Sequence, residues 1–248
     1  MRARRFFGIQ HGRQLRIYLS SITVTASRTG SPLEIARGFQ GEAIAEREYK
    51  SAVELSSVVT SRSSSVLARA FLGEAANIER ITAAIEVSPL VDEDEEADSG
   101  PDWSAVEGLL HESSCIVLVG GPIYNSVSRY ILSGIGKASN DQDTRLNFVR
   151  RDETCRPSRG ISLRGGSHDL GIDEWIGGGH EYYMVEKVTR KDAKVFICAG
   201  TSAAATAAAV QELIHWQELA ESYPDQDFAR VFALGRRRTP ATYLTSIP

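Results

Sequence analysis

The feature that most constrains this chain is an unbroken apolar run, Cys115-Ile-Val-Leu-Val119, which stops at Gly120-Gly121-Pro122 and passes through Tyr124-Asn125-Ser126 into a helical pattern. Apolar residues with no polar alternation suit a strand covered on both faces, the kind that builds parallel sheets flanked by helices. The free amides of the helix that follows make an anion site, and open α/β folds place their ligands at that end of the strand. The expected fold is therefore α/β, a Rossmann-like three-layer sandwich.

The rest of the chain supplies matching units. Leu15-Arg-Ile-Tyr-Leu19 alternates as a first strand, with Ile22 and Val24 as an extension, and Ser31-Pro32 opens a helix expected from about residue 33 to the high fifties. Val66 to Leu72 reads as a short helix ended by Gly73, and Ile81 to Val87 as a β-branched strand before Pro89. Trp103, Val106, Leu109 and Leu110 keep the spacing of one helical face and lead into the strand at Cys115. Strand, helix, strand, helix, strand demands a mostly parallel sheet with right-handed crossovers. Residues 182 to 199 read as a hairpin that adds an antiparallel pair, followed by a helix over Thr201 to Leu219 and a last strand from Phe228 to Leu234.

At 248 residues one large domain suffices, and we place it over 15–235. Residues 1–14 form a basic N-terminal extension, because Arg2, Arg4, Arg5 and Arg13 all precede the first acidic residue, Glu34. Residues 236–248, with Arg236, Arg237 and Arg238, form a basic C-terminal tail. Two internal loops are expected to be the most mobile regions: the acidic loop 92–101, and the glycine-rich loop 137–180, which lacks apolar periodicity. The overall charge of -4 and a pI near 5.8 argue against a dedicated nucleic-acid partner. Apolar runs are far too short for a membrane span, and three scattered cysteines suit a reducing, cytoplasmic setting.

Two turns share one design. Strand-Gly120-Gly121-Pro-Ile-Tyr-Asn125-Ser126 and strand-Gly200-Thr201-Ser202 each deliver glycine and then small hydroxyl or amide side chains to a helix start. If the strands are neighbours, both turns open on one edge of the sheet and form one ligand crevice. The expected ligand-binding residues are Gly120, Gly121, Asn125, Ser126, Gly200, Thr201 and Ser202, with Asn125 both capping a helix and meeting the ligand. Neither turn is a dinucleotide fingerprint or a P-loop, since no lysine follows the glycines.

The remaining polar residues assign no chemistry. His168-Asp169 and His180-Glu181 have no recognised metal spacing, and Ser167-His168-Asp169 is not a relay, because consecutive side chains cannot hydrogen-bond in series. His111 and His215 fall in helices, and Cys155, between Arg151 and Arg156, has no partner base. Catalytic residues and cofactors stay unknown, and no metal site is expected.

The Val117 to Asn125 turn, together with Glu181-Tyr-Tyr-Met-Val and Cys198-Ala-Gly-Thr-Ser-Ala-Ala-Ala205, resembles a loosely defined group of largely uncharacterised prokaryotic Rossmann-like domains. Gly120, Gly121, Pro122 and Asn125 are the matching positions, and that resemblance implies a fold but no activity. The chain also resembles nucleoside deoxyribosyltransferases and nucleotide-sensing Rossmann-like proteins, although the transferases' catalytic carboxylate has no assignable counterpart. Three functions stay open: a domain binding or sensing a phosphate-bearing or nucleotide-like small molecule, a hydrolase of an N-glycosidic or phosphoester bond in the same crevice, and an assembly subunit. In the last, residues 92 to 98 of one copy meet residues 236 to 238 of another in a homo-oligomer.

Overall fold

The computed structural model describes residues 3–10, 12–24, 41–62, 81–89, 102–122, 124–133, 144–149, 160–163, 181–190, 193–223, 225–234 and 242–247. The run that dominates the sequence becomes β5, Cys115–Val119, with all of its side chains buried. On either side of it in space lie β1, Leu15–Leu19, and β9, Ala193–Gly200, both parallel to it. Beyond β1 comes β4, Ala83–Val87, again parallel, with Leu15 facing both Ala83 and Cys115 in register. On the far side of β9 follow β8, Glu181–Arg190, then β10, Phe228–Leu234, then β11, Thr242–Ile247, each antiparallel to the last. The seven-stranded order is β11-β10-β8-β9-β5-β1-β4, and only β8 and β11 run against the common direction.

Helices cover both faces of this sheet. On one side lie α1, Ala3–Phe7, α2, Glu46–Arg62, α5, Ala203–Ile214, and α6, Trp216–Ser222, which bury Phe6, Leu55, Val210 and Trp216 against Leu19, Val117 and Phe196. On the other lie α3, Ser104–Glu112, and α4, Ser126–Ser133, which bury Val106, Leu110, Val127 and Ile131 against Ile116, Leu118 and Ile197. Alternate residues of β5 therefore feed two separate cores, which is why its sequence carries no polar period. The structure is an α/β three-layer sandwich, consistent with a Rossmann-like arrangement.

Several expectations shift. The N-terminal stretch set apart as an extension holds α1, whose Phe6 and Phe7 are fully buried against Phe196, Trp216 and Phe228. Arg5 points away from that cluster and pairs with the exposed Asp225, so the basic composition masks an apolar pair. Part of the C-terminal tail likewise forms β11. Ile22–Val24 does not extend β1 but pairs as β2 with β3, Gly41–Ala43, which occupies ground assigned to the first helix; α2 begins only at Glu46. Within the glycine-rich loop, β6, Leu146–Val149, and β7, Gly160–Leu163, form a hairpin too short to register as a period. It is tied to the sheet by Glu186, which accepts the backbone N–H groups of Arg145 and Leu146, and by burial of Leu146 and Ile161. The helix expected over 201 to 219 is two, parted at His215. Residues 66 to 72, 92 to 98, 236 to 238, His168, His180 and Cys155 lie outside the described residues.

Candidate functional site

Chain direction creates the site. After β1 the chain leaves to the face covered by α2, after β5 to the opposite face covered by α4, and after β9 back to the first face with α5. Reversals of this kind at the carboxyl ends of parallel neighbours open a crevice between the diverging loops. Val119 is in register with Cys198, and Gly120 N–H donates to Cys198 O at 2.9 Å, so the two glycine turns lie side by side on one edge. The sequence requirement for a shared crevice is met.

Most of the β5–α4 turn is spent on holding that edge together. Gly120 has φ 116°, and a Cβ there would fall 1.6 Å from Ser20 Oγ, so only glycine fits. Asn125 is fully buried: its Nδ2 donates to Tyr18 O at 3.1 Å and Val119 O at 3.3 Å, while its Oδ1 caps α4 by accepting Ser128 N–H at 2.9 Å. One side chain thus closes the seam between β1 and β5 and starts a helix. Ser126 is also buried, and its hydroxyl donates to Pro89 O beyond β4. Ser21 N–H reaches Tyr124 O at 3.1 Å, which pins the loop after β1 to the same turn. Among the described residues of the turn, Gly121 is partly exposed and Tyr124 is 46% exposed.

The β9–α5 turn is more polar. A Cβ on Gly200 would lie 2.5 Å from Ala205 and from Thr206 N, so glycine here lets α5 approach the strand end. Thr201 exchanges two hydrogen bonds with Tyr182, its N–H donating to the carbonyl and its Oγ1 accepting from the amide. Ser202 is the N-cap of α5: its Oγ accepts Ala205 N–H at 3.1 Å and donates to Glu181 Oε2 at 2.6 Å. Thr206 Oγ1 accepts Gly200 N–H at 3.2 Å, and Glu48 of α2 lies beside this threonine. Burial pushes the Glu48 carboxyl up to about 7, and the Thr206 hydroxyl only partly offsets it.

The sequence-derived set therefore divides. Gly120, Asn125 and Ser126 are committed to the rim's own structure, whereas Gly121, Thr201 and Ser202 stay partly exposed on it. Three members escaped sequence reasoning: Tyr124, Glu181 and Glu48. Tyr124 lies inside the motif, where its small neighbours carry the turn signal. Glu181 was visible only beside His180, and Glu48 was one more acidic residue in a charged helix until α5 packed against it. Among the described residues no group of His, Cys, Asp and Glu is placed to hold a metal, and no helix is long and apolar enough to cross a membrane. Cys115 and Cys198 are buried free thiols whose pKa values burial raises, which makes them poor nucleophiles. Comparison with protein-family models, with curated proteins and with solved structures returns no match to this chain.

Proposed function

We propose that the carboxyl edge of β1, β5 and β9 binds a small polar molecule of nucleotide-like size, as a binding or sensing domain. The observation that carries this is the double reversal around β5, with two glycine turns side by side at the edge where open α/β sheets hold their ligands. The exposed Tyr124 ring offers a flat apolar surface, and Thr201, Ser202 and Glu181 offer hydrogen-bonding groups one strand farther on. Native mass spectrometry of the purified full chain tests the assignment by reporting any retained small molecule. Retention by the parent and loss in Tyr124→Ala, with equal melting temperatures for the two ligand-free proteins, is the expected result. Retention that is indifferent to Tyr124→Ala would move the site elsewhere.

A hydrolase working in the same crevice is the second reading, and Glu48 is what favours it. A buried carboxyl poised near neutrality, beside the Thr206 that receives Gly200 N–H, has the proton affinity a general acid needs. Release of base or phosphate from a retained nucleotide-like molecule, with a rate that falls above pH 7 and is abolished by Glu48→Gln, would establish it.

A further inference from the structure

The β9–α5 turn looks like an anion site in sequence but is not built as one. Three amides of the turn are taken, Gly200 N–H by Thr206 Oγ1, Thr201 N–H by Tyr182 O at 2.8 Å, and Ala205 N–H by Ser202 Oγ, so what decides between an anion and a neutral group at the remaining amides of the first turn is the charge beside them. The Ser202 hydroxyl has no proton left to offer, because it donates to Glu181 Oε2 at 2.6 Å. A carboxylate therefore sits where the positive end of α5 would otherwise meet a ligand, and a phosphate brought to this turn would face a like charge. Glu181 keeps a second oxygen, Oε1, with no partner among the described residues, on a side chain that is only partly buried. An ionised carboxylate oxygen accepts hydrogen bonds and donates none, so it selects hydroxyl or N–H groups.

We propose that Glu181 fixes the ligand class of this crevice: the group that lies against the β9–α5 turn is a hydroxyl-bearing, unphosphorylated one such as a sugar ring, and phosphate is excluded from that turn. This rests on the carboxyl edge being the binding site, and it changes what the Gly200 segment is for. The glycine serves close packing of α5, and the specificity comes from a residue at the start of the neighbouring antiparallel strand. Glu181→Gln is a suitable probe because glutamine keeps an oxygen to accept the Ser202 hydroxyl while removing the charge.

The test is calorimetric titration of the full chain with the common nucleosides, their 5′-monophosphates and inorganic phosphate, in the parent, Glu181→Gln and Tyr124→Ala. The expected pattern is a nucleoside bound at least as tightly as its monophosphate and no binding of inorganic phosphate. Glu181→Gln should weaken the nucleoside by about tenfold or more, as loss of a charge-assisted hydrogen bond does, and should narrow the discrimination against the monophosphate. A monophosphate that outcompetes its nucleoside, binding of inorganic phosphate, no binding by any probe, or a nucleoside affinity unmoved by Glu181→Gln would each overturn the inference. Tyr124→Ala separates the two levels of failure. If it weakens binding while Glu181→Gln does not, only the role of Glu181 falls; if neither matters to a probe that binds, the carboxyl edge falls with it.

Discussion

Asn125 shows how a residue chosen as a ligand contact becomes a fastener. Its amide donates to two strand-end carbonyls and its oxygen caps α4, so alanine here forfeits a cap worth about 1 kcal/mol and two further buried hydrogen bonds worth about 0.5–1.5 kcal/mol each. Asn125→Ala should therefore lose about 2–4 kcal/mol in chemical unfolding while the folded fraction keeps its affinity for any retained ligand. Glu48 makes a different prediction. Its folded pKa, about 7 against an ordinary 4.5, means the folded chain holds a proton that the unfolded chain has lost between those values. That contribution to stability is complete below pH 4.5, declines as pH rises, and is gone above 7, a swing of about 3 kcal/mol at ~1.4 kcal/mol per pH unit. Glu48→Gln should flatten this part of the stability profile and exceed the parent at pH 8. A variant that retains the parent's pH dependence would show that Glu48 ionises freely in the fold.

At the level of elements, legibility followed length and apolar content. β5, β9 and α3 were readable because each fills its span with residues suited to one environment, buried on both faces for the strands and on one for the helix. α1 was hidden because it is only five residues long and its two arginines match the two aromatic residues that anchor it, and β6 and β7 because each is only four residues long. Phe6 tests the status of α1 directly: truncating a fully buried phenylalanine costs about 3–5 kcal/mol, so Phe6→Ala should melt far below the parent if α1 belongs to the core. A solvated arm would lose almost nothing. The same helix covers Lys187 of β8, whose ammonium lies 5.5 Å from the Phe6 ring centroid and donates to Gln226 O at 2.9 Å. Burial, with the nearby Lys194, lowers this amine to about 8, so the unfolded chain binds more protons between about pH 8 and 10.5 and stability rises with pH across that window. Lys187→Met should remove the rise and be more stable than the parent at pH 7, as unfolding at pH 7 and pH 10 would show.

For the whole molecule, the sequence carried the fold class because its parallel core is written in local patterns, and it placed two glycine turns on one edge because they punctuate neighbouring strands. It did not carry the division of labour on that edge. Whether Asn125, Ser126 or Ser202 faces a ligand or the protein depends on carbonyls and carboxylates delivered by Tyr18, Pro89 and Glu181, which sequence distance conceals. Glu48 and Thr206 likewise meet only when α2 and α5 pack on the same face. The account therefore rests on one structural claim, that ligands enter at the carboxyl ends of β1, β5 and β9. Amide-resolved NMR titration of the full chain with a nucleoside tests it most directly. The account predicts that the largest chemical-shift changes fall on Gly121, Tyr124, Glu181, Thr201 and Ser202. Changes centred on the opposite edge, around Leu15, Ala83 and Ala193, would contradict it.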